Sequence, residues 1–224
     1  MLVRDHMKRD PRTVTPDDTL ATALNLTREH RIRHLPVVLS TGGLTGIVSD
    51  RDIRLAMPSP LAVADAERAE FLSRTSVAEV MTRDVITVSA NDTIEDAANL
   101  LYQHRIGSLP VVSTDGQLHG ILTETDILHA FVLILGGAKP SSRIEIGLRD
   151  EPGELARAIK IIGDDLRMNI ASIVVPSLPE KTRRVAIVHL ATIDPREVVR
   201  ALEEAGYDVG WPSLEKDLRM SEAR

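Results

Sequence analysis

The chain has 224 residues, enough for one large domain or for two or three small ones that each bury a core. A formal net charge of -6 and only five aromatic residues (two Phe, two Tyr, one Trp) argue against a basic groove lined with stacking platforms, so nucleic acid is not an expected partner. The absence of cysteine excludes a disulfide framework, a thiolate zinc site and a cysteine nucleophile, and it suits a reducing compartment.

Taken in order, Met1-Leu2-Val3-Arg4-Asp5-His6 carries charges where a signal peptide needs its apolar run, and the longest apolar run, Ala130 to Leu135, is far short of a membrane span. A soluble, cytoplasmic protein with no membrane partner is therefore expected. Thr13-Val14-Thr15 reads as a brief β-branched strand closed by the turn residues Pro16-Asp17-Asp18. Leu20, Ala23 and Leu24 then fall at helical spacing behind the N-cap pair Asp18-Thr19. Leu35–Leu39 and Leu44–Ser49 are short apolar runs separated by Ser40-Thr41-Gly42-Gly43, a hairpin signal, and a second short helix starts at Asp50.

The same unit returns 74 residues later. Val3–Ala56 and Val77–Ala130 align without a gap and are identical at about 25 of 54 positions, which marks an internal repeat. The second copy has its helix at Ile94, Ala97, Ala98 and Leu101 behind Asp92-Thr93, its hairpin turn at Asp115-Gly116 and its second helix from Glu124. Each copy thus reads β-α-β-β-α, and at about 55 residues each is small enough to need the other's surface. Between them, Met57-Pro58-Ser59-Pro60 stops a helix, and Leu61, Ala64, Arg68 and Leu72 suggest a linker helix.

After the second copy, Gly136-Gly137-Ala138-Lys139-Pro140-Ser141-Ser142 breaks both periodicities and marks a domain boundary. The remainder alternates as a strand over Arg143–Leu148. It then shows helical spacing at Ala156, Ile159, Ile162 and Leu166, apolar strands at Ile170–Val175 and Val185–Leu190, a helix over Pro195–Ala205, and Tyr207-Asp208-Val209. That is β-α-β-β-α-β, the split ferredoxin-like plan, followed by a polar tail.

Ser49 and Thr123 each end a buried strand and precede a helix, with Asp52 and Asp126 three residues on. This Ser/Thr-x-x-Asp pattern has two readings. It is a capping box, as Thr93-Ile94-Glu95-Asp96 also is. It also places a hydroxyl donor, a carboxylate able to accept from two ribose hydroxyls, and the free N–H groups of a first helical turn together, which suits a nucleotide.

Residues 1–132 resemble paired cystathionine-β-synthase (CBS) domains, the Bateman module. The resemblance is carried by His104-Arg105-Ile106-Gly107-Ser108-Leu109-Pro110-Val111-Val112, the Gly-Ile-Leu-Thr-x-Thr-Asp segment and their first-copy partners. It implies an adenine-containing ligand (AMP, ADP, ATP or S-adenosylmethionine) in a cleft between the units, with Asp52 and Asp126 on ribose and Ser49 and Thr123 near phosphate. Base or phosphate contacts are implied for Ile32, Arg33 and His34 in one copy and for Ile106, Gly107 and Ser108 in the other. Asp50 and Glu124 add a carboxylate beside each hydroxyl, which opposes phosphate. Arg33, His34 and Arg51 offset it in the first copy, so a phosphate is expected to prefer the site contributed by Ser49 and Asp52.

Arg143–Trp211 resembles the ACT domain through Leu148-Arg149-Asp150-Glu151-Pro152-Gly153-Glu154-Leu155, which matches the Asp-x-Pro-Gly-x-Leu loop of that family. Asp150, Pro152, Gly153 and Leu155 are thereby candidate effector residues, with an amino-acid carboxylate held on exposed N–H groups as one reading and a plain turn as the other. The order CBS-CBS-ACT, with Trp211-Pro212 near the end, is similar to the acetoin utilisation protein family, which implies a regulatory role near acetoin or acetate metabolism. His30 and His34 lack a carboxylate partner for a metal, and no Gly-x-Ser-x-Gly, Walker-type or His-Glu-x-x-His sequence occurs, so neither a metal site nor catalysis is expected.

The expectation is an α+β protein: CBS domains at 1–58 and 76–135, a linker helix at 59–75, a flexible linker at 136–142, an ACT domain at 143–212 and a tail at 213–224. It would be a homodimeric, non-catalytic sensor signalling to an unidentified target protein. A dimerisation adaptor with non-functional pockets is the rival reading.

Overall fold

The structure, a computed structural model, describes residues 1–136, 140–176 and 184–211. Residues 137–139 of the expected linker, Pro212 and the expected tail 213–224 lie outside the described residues. The chain divides into two units, Met1–Ala130 and a second from Phe131 onward.

In the first unit the elements run β1 (Lys8–Arg9), α1 (Leu20–His30), β2 (His34–Val38), β3 (Leu44–Ser49), α2 (Asp50–Ala56) and α3 (Asp65–Arg74). They continue with α4 (Ile94–His104), β4 (Ser108–Val112), β5 (Leu118–Thr123) and α5 (Glu124–Ile134). The threonines foreseen as caps do cap: Thr19 Oγ1 accepts from Thr22 N at 3.2 Å and Thr93 Oγ1 from Asp96 N at 3.0 Å. Such a cap contributes about 1 kcal/mol. Leu20, Ala23 and Leu24 of α1 and Ile94, Ala97 and Leu101 of α4 are buried, the apolar stripes that the spacing called for. Both helices end on an arginine in the left-handed region, Arg31 at φ 53° and Arg105 at φ 54°. A side chain costs about 1 kcal/mol there, and the reversal is what turns each chain into the following strand.

The two hairpins share one register. His34 pairs with Ser49 and Leu35 with Val48 in β2–β3, as Ser108 pairs with Thr123 and Leu109 with Leu122 in β4–β5, and both carry a bulge before the last valine. The expected strand at residues 13–15 contracts to a single bridge. Val14 N donates to Pro36 O and Val38 N to Val14 O, and Pro11 and Pro16, which lack an N–H, flank the pairing on either side.

Each copy lends its opening segment to the other. β1 pairs with β5, Lys8 opposite Ile121, while Thr82 and Ile47 exchange N–H···O bonds at 2.9 Å in both directions. These crossings explain two glycines that strand propensity alone would disfavour. A Cβ on Gly120 would lie 2.9 Å from Lys8 O, and one on Gly46 would lie 3.1 Å from Thr82 O. The linker helix begins at Asp65, later than expected. Ser59 accepts the N–H groups of Leu61, Ala62 and Val63 through its hydroxyl or carbonyl, and Leu61 is 98% exposed rather than on the packed face. Phe71 and Leu72 of α3 pack against the first copy's core around Leu20, Leu35 and Ile53.

The second unit runs β6 (Ser142–Leu148), α6 (Glu154–Lys160), a π turn over Ile161–Asp165, β7 (Ile170–Val174), β8 (Arg184–Leu190), α7 (Arg196–Glu204) and β9 (Asp208–Gly210). Its sheet order is β7-β8-β6-β9 with every neighbour antiparallel, the arrangement of the ferredoxin-like plan. Ile144, Ile146, Ala186, Val188 and Leu190 on one sheet face meet Ala158, Ile162, Val198 and Leu202 from the helical layer. Among the described residues no helix is long and apolar enough to cross a membrane.

Candidate functional site

Both Ser/Thr-x-x-Asp junctions form complete, reciprocal boxes. Asp52 Oδ2 accepts from Ser49 N at 2.9 Å and from Ser49 Oγ at 2.6 Å, while Asp52 N donates to Ser49 Oγ at 3.2 Å. In the second copy Asp126 Oδ2 accepts from Thr123 N at 2.8 Å and from Thr123 Oγ1 at 2.6 Å, with Asp126 N donating back at 3.4 Å. The hydroxyl protons are therefore committed to the chain's own carboxylates, and the hydroxyl donors foreseen for phosphate are not free in this conformation. The second oxygen, Oδ1, of each aspartate takes no hydrogen bond from the described residues. An ionised carboxylate with one free oxygen remains a strong acceptor for a diol.

The copies contribute crosswise to two cavities. The first, of about 370 Å³, joins Thr123 and Asp126 of the second copy to Ile32, Arg33 and His34 of the first, with Lys8, Pro11 and Arg12 from around β1. The second, of about 290 Å³, joins Ser49, Arg51 and Asp52 of the first copy to Ile106, Gly107 and Ser108 of the second, with Thr82, Val85 and Ile86 from the equivalent loop. All eleven residues singled out around the junctions line one cavity or the other, but the expected grouping within each copy is corrected. The exchange of β1 and Thr82 carries each copy's opening loop across the boundary, so each junction faces the other copy's pre-Leu-Pro segment. Of the three groups expected to offset the carboxylate beside Ser49, His34 and Arg51 line that cavity and Arg33 does not. Arg33, meant to offset Asp50 beside Ser49, lies in the cavity of Thr123 and Asp126.

His34 lines both cavities, and its ring lies over Gly107, where a Cβ would come within 3.0 Å of Cε1. Burial holds its imidazole below the usual histidine range against the opposing pull of Asp50, Asp52 and Glu124, with Arg33 adding to the depression. Ser108 Oγ, on a residue only 4% exposed, is buried without a hydrogen-bond partner among the described residues. Lys8, Arg12, Arg31, Asp84, Val85, Ile86 and Arg105 were not singled out from the sequence. The signal that could have found them was the repeat itself, since residues 8–12 and 82–86 are equivalent at the shift of 74.

In the second unit, a cavity of about 650 Å³ is lined by Arg149, Asp150, Arg157, Lys160 and Tyr207 around Glu154. Of the loop residues singled out, only Asp150 lines it, and Asp150 Oδ1 accepts from Arg184 Nη1 at 3.2 Å. Pro152 and Gly153 form an exposed turn, with Gly153 at φ 84°, and Leu155 packs toward the core. Glu154, buried at 3% exposure, accepts from Arg149 and Arg157, and those hydrogen bonds hold its carboxyl below the usual range. The signal for it in the sequence is the spacing of Arg149, Glu154 and Arg157, two cations around one carboxylate.

Among the described residues no cluster of three or more His, Asp or Glu side chains could hold a metal ion. His30 closes α1 and His34 opens β2, so the left-handed Arg31 between them keeps the pair off a single helix face.

Comparison with known proteins places these features in company. The CBS domain model matches residues 3–59 and 77–133. A CBS domain-containing protein of Dictyostelium discoideum is 34% identical over 143 residues, covering 63% of this chain and 99% of that protein. The crystal structure of a CBS-pair protein from Arabidopsis thaliana is 31% identical, with a TM-score of 0.52, over 58% of this chain and 94% of that one. That of a protein assigned to acetoin utilization (AcuB) from Vibrio cholerae is 33% identical, with a TM-score of 0.50, over 59% and 90% respectively.

Proposed function

This chain belongs to the CBS-domain family, and we propose that it is a non-catalytic regulatory protein that binds an adenine nucleotide or S-adenosylmethionine between its two CBS units. One observation carries the reading: each cavity combines an aspartate with an unengaged oxygen and a short apolar wall, drawn from different copies. Asp126 or Asp52 would accept from a ribose diol, while Ile32, Ile121 and Pro11 in one cavity, or Val85, Ile86 and Ile106 in the other, would flank the base. A ligand seated there touches both copies, so its affinity depends on their relative orientation, which is what a sensor needs.

For the second unit we propose an ACT-type role, either binding a second small effector such as an amino acid or forming a homodimer. The likeness to the Vibrio cholerae protein, described as one of acetoin utilization, supports that metabolism as the setting. Calorimetry on the full chain with AMP, ADP, ATP and S-adenosylmethionine tests the nucleotide reading. Binding that disappears in the Asp52→Ala/Asp126→Ala double variant supports it. Silence for all four ligands would leave a dimerisation adaptor, whose capping boxes serve only the fold. Light scattering that shows monomer alone would contradict the homodimer.

A further inference from the structure

The two cavities share a plan and differ in charge. Matched at the shift of 74, Lys8 stands where the second copy has Thr82, Arg12 where it has Ile86, and Arg33 where it has Gly107, and only Arg31 has a cationic counterpart in Arg105. The cavity at Thr123 and Asp126 is consequently lined by four permanent cations against Glu124 and Asp126. The cavity at Ser49 and Asp52 has Arg51 and Arg105 against Asp52 and Asp84, with no excess of either sign. Lys8, Arg12, Arg31 and Arg33 make no ion pair with the described residues, which leaves them available to a ligand's charge. The neutral cavity instead presents Ile47, Val85, Ile86 and Ile106, together with Ser108 Oγ, which is buried and has no hydrogen-bond partner among the described residues.

Resting on the adenine-ligand reading above, we infer that the cavities are not interchangeable. The Thr123–Asp126 cavity selects an adenosine ligand with two or three phosphates, whose charge falls on Lys8, Arg12, Arg31 and Arg33, and the Ser49–Asp52 cavity takes an adenosine ligand without a polyphosphate. Asp84 and Asp52 repel a phosphate chain from the second cavity, and Arg51 and Arg105 do no more than balance them.

The test is calorimetry of the full chain with ATP and with adenosine at low and high salt, in the native protein and in Asp52→Ala, Asp126→Ala and Arg12→Gln/Arg33→Gln variants. Arg12 and Arg33 are both solvent-exposed, so neutralising them leaves the core untouched and keeps the test valid if an aspartate variant fails to fold. ATP should bind more tightly than adenosine by about tenfold or more at low salt, and the preference should shrink as salt is raised. It should be lost in Asp126→Ala and in Arg12→Gln/Arg33→Gln, and kept in Asp52→Ala. ATP binding no tighter than adenosine, or ATP binding lost in Asp52→Ala but kept in Asp126→Ala, overturns the inference while leaving the nucleotide reading in place. Failure of ATP and adenosine alike to bind overturns the inference, and the nucleotide reading falls with it only if AMP, ADP and S-adenosylmethionine are silent as well.

Discussion

A cap and a ligand-binding carboxylate can be told apart by comparing two aspartates of the same copy. Asp126 accepts from Thr123 N and Oγ1 at 2.8 and 2.6 Å at the wall of a cavity, whereas Asp96 accepts from Thr93 Oγ1 at 2.6 Å and lines none of the three cavities described above. Replacing Asp96 by alanine removes one hydrogen bond and should cost about 1 kcal/mol of stability, whereas replacing Asp126 breaks a reciprocal box and should cost nearer ~2 kcal/mol because it serves two donors. For a unit of this size that is a fall in Tm of about 4 °C, measurable by thermal denaturation. Binding should separate them. If Oδ1 of Asp126 takes part in two charge-assisted hydrogen bonds from a ribose, its loss costs about 3 kcal/mol, or roughly a hundredfold in Kd. Calorimetry with ATP should therefore show native affinity in Asp96→Ala and roughly hundredfold weaker binding in Asp126→Ala. Equal ATP affinities in the two variants, with both Tm values lowered, would refute the reasoning and reduce the Thr123 box to a structural cap.

The remaining predictions concern other parts of the chain. Because burial depresses the His34 pKa, folding favours the neutral ring. The stability this supplies is complete above the unfolded histidine value near 6.5 and is lost as pH falls through the folded one. Thermal melts should thus show a smaller loss between pH 7.5 and 5.5 in His34→Gln than in the native chain, and parallel curves would count against it. Gly120→Ala should destabilise the first unit by about 1–3 kcal/mol, read as a lower urea midpoint, since the added Cβ meets the Lys8 carbonyl at 2.9 Å. An unchanged midpoint would mean that β1 yields freely. Glu154→Gln should destabilise the second unit, and the native advantage should disappear in acid as the carboxyl, held low by Arg157 and Arg149, takes up its proton. Melting curves that stay separated at low pH would contradict that account.

What could be read from the sequence was local. The capping threonines, the hairpin turns with Gly42 and Gly116 at positive φ, and the apolar stripes of α1 and α4 are each set by neighbours within a few residues, and the repeat supplied every signal twice. Cavity membership was not local. Ser49 and Arg33 belong to the same copy, and the backbone of Asp50 donates to Arg33 O at 2.9 Å, yet the Arg33 side chain lines the cavity of the other junction. A strand's two neighbours in sequence point to opposite faces, and only the pairing of β1 with β5 and of Thr82 with Ile47 decides which copy each face meets. The late start of α3 had a plainer cause. Leu61 fits the helical stripe, but Ser59 accepts the N–H groups of residues 61–63 outside the helix.

Crosswise construction also determines what a bound ligand can do. Were each cavity built within one copy, a ligand would stabilise that copy and leave its relation to the other unchanged. Here the carboxylate and the opposing Arg33–His34 or Gly107–Ser108 segment belong to different copies, so any ligand that contacts both is a bridge whose binding free energy varies with the angle between them. His34 sharpens this, because its ring lines both cavities and lies over Gly107. A shift of that imidazole on filling one cavity would alter the wall of the other, giving the two sites a direct steric route to coupling. By linkage that coupling must be equal in both directions. Titrating ATP in the presence and absence of saturating adenosine, in native and His34→Ala chains, should show an interdependence of affinities that the variant lacks.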